Sequence, residues 1–133
     1  MARWLVKTEP DVYSYDDLAH DGRGVWDGVR NATALGHLRR FTVGDEVFVY
    51  HSGKARAIVG VARVARGPYP DPAHDDPRLV VVDLVPVRRF AQPVTLAAIK
   101  ADSAFAAFDL VRISRLSVMA VPDGIWQRIV DMS

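Results

Sequence analysis

The run Val47–Phe48–Val49–Tyr50 is apolar at every position, so a strand there has to be covered on both faces. It sits inside a longer strand candidate, residues 45–52. Four further runs share its Val, Ile and aromatic content: residues 4–8, 57–66, 79–90 and 112–121. Each is bounded by clusters of Gly, Pro and Asp, which mark strand ends. Pro86 lacks a ladder donor and places the end of its strand at an edge or a bulge. Four prolines and three aspartates in "RGPYPDPAHDDPR", residues 66–78, predict a long connection.

Helical stretches between these runs are short. Ser14 is placed to cap a turn through Asp17 and Leu18 that Gly22 ends. Asn31 is placed to cap a helix to about Arg40, with Leu35 and Leu38 on its buried side. Thr95 opens "LAAIKA" and Ser103 opens "AFAAF". Behind Asp123, the residues Ile125, Trp126, Ile129 and Val130 form one apolar stripe, as an amphipathic helix packed on a sheet requires. Helices inserted between strands without one-for-one alternation predict an α+β fold: a mixed β-barrel of five to six strands with short peripheral helices. At 133 residues the chain is expected to be a single domain, 1–133.

Composition removes several functions. The absence of cysteine excludes disulfides and thiolate chemistry. His20, His37, His51 and His74 lack metal-ligand spacing, and "HDD" at 74–76 reads as solvated loop. Neither a P-loop nor a G-x-G-x-x-G is present, so no cofactor is expected. "MARWLVKTEPD" carries an acid and a proline where a signal peptide needs an apolar run, and nothing approaches the ~20 apolar residues of a membrane span. A cytoplasmic monomer without membrane contact is expected. A net charge of +1 argues against general coating of duplex DNA, which gains affinity by neutralising many phosphates. The cations are mostly arginine, which suits phosphates and base edges but also follows from a GC-rich genome.

The polar turn "GVWDGVRNATA", residues 24–34, holds the chemistry. A lone Trp is ordinarily core, yet Trp26 lies between Gly24 and Gly28 in a segment too polar to bury whole. A ring face beside amide and backbone groups suits a flat heterocycle, with Gly28 giving clearance. Asn31 is a helix cap or a ligand contact. Arg30 pairs with Asp27 or Glu9, or meets a phosphate. In "FVYHS", Tyr50 and Ser52 point one way and His51 the other, which separates a Ser–His pair and argues against covalent catalysis.

Five motifs, "WLVKTEPDVYSYDDL", "WDGVRN", "VGDEVFVYHS", "GVARVARGPYPDP" and "DLVRISRLSVMAV", run through essentially the whole chain. Together they resemble the EVE domain family of the PUA-like superfold, relatives of the YTH readers of methylated adenine that include stand-alone bacterial proteins of this length. The resemblance implies a PUA-like barrel whose aromatic-walled pocket binds, without catalysis, a modified base in DNA or RNA, 5-substituted cytosine being the leading candidate. By motif position it assigns the ligand site to Lys7, Thr8, Glu9, Trp26, Asp27, Gly28, Val29, Arg30, Asn31, Tyr50, His51, Ser52, Arg115, Leu116 and Ser117. The chain departs from the family at Ala32 and Leu35, where Tyr and Arg are usual. That predicts a wider and less basic pocket on that side. Two other functions remain open: a sensor of a free nucleobase or small metabolite, and a base-acting hydrolase using Glu9, Asp27 or His51 as general base.

Overall fold

The computed structural model describes residues 2–133. In chain order these form β1 (Arg3–Thr8), α1 (Tyr15–Asp21), β2 (Gly24–Trp26), α2 (Ala32–Leu38), β3 (Glu46–His51), β4 (Ala57–Pro70), β5 (Val80–Thr95), α3 (Leu96–Lys100), a 3-10 turn (Ser103–Phe105), α4 (Asp109–Arg112), β6 (Val118–Ala120) and α5 (Asp123–Met132). The strands make one mixed sheet in the order β2-β5-β4-β3-β1-β6. β1 and β3 run parallel, and the other neighbours are antiparallel. The architecture is the α+β one expected, with the sheet curled into a half-barrel.

The curl has a local cause. The long β4 and β5 strands shift register four times along their pairing, and each bulge adds bend and twist. Pro86 falls at one such shift, opposite Ala62, just past the end of the β2 pairing. The central strand β3 is covered on both faces, with Val47, Phe48 and Val49 fully buried. Trp126 of α5 stacks on Phe48 at a centroid distance of 3.6 Å, and Phe90 meets Phe48 edge-on at 5.8 Å. On the open side of the curl, α2 touches both β5 and β6, and it buries Ala34, Leu35 and Leu38.

The capping residues explain where the helices begin. Ser14 makes a reciprocal capping box with Asp17, and α1 ends at Gly22 with φ 73°. Asn31 Oδ1 accepts from Ala34 N at 3.0 Å, and Thr95 Oγ1 accepts from Ala98 N at 3.1 Å. The 3-10 turn is capped by Asp102, not by the expected Ser103, because the Asp102 carboxylate reaches Ala104 N at 2.9 Å.

Three expectations are corrected. Residues 112–121 are not one strand: Arg112 ends α4, and only Val118–Ala120 find partners on β1. Residues 66–78 are not all connection, since β4 continues to Pro70. Pro68 lies within the register shift between Arg66 and Tyr69, where no ladder donor is required of it. Gly24–Trp26, read as turn, is a short edge strand on Val82–Leu84. Arg23 holds it there by donating Nε and Nη2 to Asp83 Oδ2 at 3.0 and 2.8 Å. No helix among the described residues is long and apolar enough to cross a membrane.

Candidate functional site

The curl brings the end of β1 to the end of β2. Lys7 and Thr8 on one side, and Val25, Trp26, Asp27 and Gly28 on the other, line a cleft of about 460 Å³ that Val12 and Tyr13 complete. That volume falls in the range of about 300–1,000 Å³ typical of small-ligand pockets.

The turn from β1 into α1 is braced by its own hydrogen bonds. Val12 N and Tyr13 N both donate to the Glu9 carbonyl at 2.9 Å, and Thr8 Oγ1 donates to the Tyr13 carbonyl at 2.6 Å. Ser52 Oγ donates to Glu9 Oε2 at 3.1 Å, tying the end of β3 to the same turn. Val12 is left 80% exposed at the cleft rim, and Val25 on β2 is also exposed. Tyr13 stands edge-on to Trp26 and donates its hydroxyl to Asp21 Oδ2 at 3.0 Å. Desolvation, and then the Asp21 carboxylate, push the Tyr13 phenol up to about 12, so it remains a neutral donor.

Trp26 is 6% exposed, belongs to the core cluster, and still lines the cleft. The ring is core and cleft wall at once. Gly28 has φ 76°, a conformation that L side chains rarely adopt, with open space where a Cβ would stand. Asp27 is exposed and, among the described residues, its carboxylate makes neither an ion pair nor a hydrogen bond. Lys7 is half-buried. Its Nζ donates to the Ser114 carbonyl at 2.9 Å and lies 5.5 Å from the centre of the Tyr50 ring. Burial lowers the Lys7 pKa from its ordinary value.

The remaining motif residues support this cleft or lie apart from it. Tyr50 is buried beneath Lys7, and the Ser117 carbonyl accepts from Lys7 N at 2.9 Å. Val29 and Leu116 are core, Arg115 is exposed, and Asn31 caps α2. His51 Nε2 accepts from Tyr15 N at 3.0 Å, which puts any neutral-ring proton on Nδ1, and burial lowers its pKa. Arg30 points away from the first cleft to a second one of about 440 Å³, with Ala32, Leu35, Arg39, Asp76, Arg78 and Leu79. Ala32 and Leu35 line this second cleft and not the one that Trp26 lines. The charge there is supplied by Arg30, Arg39 and Arg78, so that side is not poor in cations. Among the described residues, no group of three or more His, Asp or Glu side chains is placed to hold a metal ion.

Val12, Tyr13 and Val25 were missed by sequence reasoning. The available signal was an apolar residue in the otherwise polar turn Pro10–Tyr13. Tyr13 becomes a wall of the cleft only through close packing on Gly24, where a Cβ would stand 2.7 Å from the Tyr13 hydroxyl.

In chemical terms the cleft offers indole and phenol rings, a cation at one rim and an unpaired carboxylate at another. A family model described as the EVE domain matches residues 2–132. Human thymocyte nuclear protein 1 is 30% identical over 74% of the chain and 56% of its own length, so the chain spans about half of that curated relative. The NMR structure of a Rhodopseudomonas palustris protein is 40% identical with a TM-score of 0.94, covering 99% of this chain and 92% of that one. A crystal structure of human THYN1 protein in complex with 5-methylcytosine containing DNA is 28% identical with a TM-score of 0.90, covering 99% and 97%.

Proposed function

This chain belongs to the EVE domain family, and from that premise we propose that it binds a modified nucleobase, with 5-substituted cytosine the leading candidate, in a nucleic acid strand and without catalysis. The observation that carries the reading is the cleft in which Trp26 and Tyr13 form an aromatic wall between Lys7 and Asp27. The likeness to a human protein solved with 5-methylcytosine containing DNA supports the ligand class.

The polarity of the rims suits cytosine. Carboxylates accept from its exocyclic amine, a role open to Asp27, while the Lys7 ammonium keeps donors for a ring carbonyl. Taking a base out of its stack costs a few kcal/mol, and stacking on an aromatic side chain returns roughly 1–3 of that. A buried methyl adds about 0.8 kcal/mol, or about fourfold in affinity. Preference for the modified base is therefore expected to be modest. Binding without chemistry fits the hydrogen bonding: Thr8 and Ser52 hydroxyls donate to carbonyl or carboxylate oxygens, and His51 Nε2 is occupied by a backbone N–H.

A second reading, a sensor of a free nucleobase, is favoured by the net charge of +1. Fluorescence anisotropy with oligonucleotides carrying cytosine or 5-methylcytosine at one position separates the two. The polymer reading expects binding that weakens steeply with salt and is lost in Trp26→Ala. Unchanged affinity in Trp26→Ala, with the fold intact by circular dichroism, removes the pocket from consideration.

A further inference from the structure

The second cleft follows the first closely along the chain, with the core residue Val29 between them. Gly28 lines one and Arg30 the other, two residues apart, so their Cα atoms are separated by at most ~7 Å. Leu35 and Leu79 are largely buried and form an apolar floor beside Ala32. Arginines from three segments converge on the rim: Arg30 from the stretch after β2, Arg39 at the end of α2, and Arg78 from the β4–β5 connection.

These arms are held in place. Arg78 forks onto Asp76 through Nε at 3.0 Å and Nη2 at 2.7 Å. Arg39 Nη2 donates to the Arg78 carbonyl. Arg30 Nη2 meets His74 Nε2 at 3.1 Å, and His74 Nδ1 meets Asp71 Oδ2 at 2.9 Å. Asp76 is the one carboxylate among the cleft's lining residues, and Arg78 already engages it. Among the described residues, neither Arg30 nor Arg39 has a carboxylate in ion-pair contact. The result is a positive rim, fixed in geometry and incompletely neutralised, over an apolar floor. The lining carries three guanidiniums against one carboxylate, with Asp71 behind His74 as the next anion. Guanidinium forks match phosphate oxygens, and arms already restrained lose less freedom on binding.

We propose that this second cleft holds the phosphodiester next to the base seated in the first cleft, with Arg39 and the Arg78 Nη1 left free by Asp76 as the phosphate contacts and Leu35 and Leu79 against the sugar. The proposal rests on the reading of the first cleft as a base pocket. It makes the ligand a strand, because residues 25–30 contribute to both clefts and a polynucleotide carries a phosphodiester beside each base.

The test is a salt titration by fluorescence anisotropy, using the full chain and a single-stranded oligonucleotide with one 5-methylcytosine. The unaltered protein is compared with Arg39→Gln, Arg39→Gln with Arg78→Gln, Arg39→Lys, and Trp26→Ala. The expected result is a slope of log K against log salt less steep (less negative) by ~0.7 for Arg39→Gln, and by about twice that for the pair. The pair should also bind about tenfold more weakly at 0.1 M salt. Arg39→Lys keeps the slope, and free 5-methylcytosine nucleoside binds the pair as it binds the unaltered protein. Loss of binding in Trp26→Ala with no change of slope in the arginine variants overturns the phosphate site and leaves the base pocket standing. Shallower slopes in the arginine variants with no response to Trp26→Ala overturn the base pocket and keep the phosphate site. No binding of the oligonucleotide by the unaltered protein overturns both.

Discussion

The Tyr13 ring meets the Trp26 ring edge-on, with centroids 6.2 Å apart and planes at 79°. An aromatic pair of this kind contributes about 0.5–1.5 kcal/mol beyond burial. Here it also fixes one wall of the cleft. Tyr13→Ala removes that wall and is expected to weaken binding of a methylated oligonucleotide about tenfold, within the roughly 1–3 kcal/mol of a base–aromatic contact. Tyr13→Phe keeps the ring and loses only the bond to Asp21, so affinity should stay within about twofold. Equal losses in the two variants, measured by anisotropy, would assign the effect to the hydroxyl instead of the ring.

Gly24 lets this wall stand. A Cβ at that position would lie 2.7 Å from the Tyr13 hydroxyl and 3.1 Å from Leu18 Cδ1. Gly24→Ala is therefore expected to push the ring outward and break its bond to Asp21, at a cost of about 1–3 kcal/mol from overpacking. The readout is ultraviolet titration of the phenol. With desolvation and the Asp21 contact relieved, its pKa should fall from about 12 toward 10.

Much of the fold was legible because its signals were local. Ser14, Asn31 and Thr95 each cap the helix they were expected to open, and the apolar run 47–50 is the doubly covered strand. The failures were long-range. β2 is three residues long and becomes a strand only because β5 offers Val82–Leu84 as partners. Residues 112–117 carry Ile113 and Leu116, yet only three residues, Val118–Ala120, stand in ladder register with β1, so the rest turns. The site divides in the same way. Trp26, Asp27, Gly28, Lys7 and Thr8 were named from motifs and meet in one cleft. Alternation on β3 could not show that Tyr50 lies under Lys7. Nor could spacing show that His51 reaches Tyr15 across 36 residues.

His51 sets a pH dependence of stability. Burial holds its pKa below the ordinary 6.5, because the neutral ring accepts from Tyr15 N in a desolvated site. The unfolded chain takes up its proton near 6.5, while the native state resists until a lower pH. The stability from neutral His51 is thus complete above about 6.5 and is lost as pH falls through the folded value. His37 is shifted the same way, mainly by burial and then by Arg40. Urea midpoints should therefore drop between pH 7.5 and 5. His51→Gln supplies an amide oxygen to Tyr15 N without titrating, and should flatten that drop in part. A drop as steep in the variant would place the titration elsewhere.

Asp45 is fully buried and holds the start of β1. Its Oδ2 accepts from Trp4 Nε1 at 2.8 Å and from Thr42 N at 3.0 Å, while Oδ1 accepts from Thr42 Oγ1 at 2.9 Å. Asp45→Ala leaves the buried Trp4 indole N–H without a partner, while the Thr42 N–H and hydroxyl lie in an exposed residue that water reaches. One unsatisfied buried group costs about 1–3 kcal/mol, and a loss of that size is expected in urea unfolding. Asp45→Asn retains an acceptor oxygen and should lose less. Lys7 and Thr8 lie at the other end of the same strand, fixed by Ser114, Ser117 and Tyr13 through bonds that do not pass through Asp45. Affinity per native molecule should then be unchanged in Asp45→Asn while its unfolding midpoint falls. A parallel loss of affinity would mean that the two ends of β1 move as one body, and that the cleft depends on the core beneath Trp4.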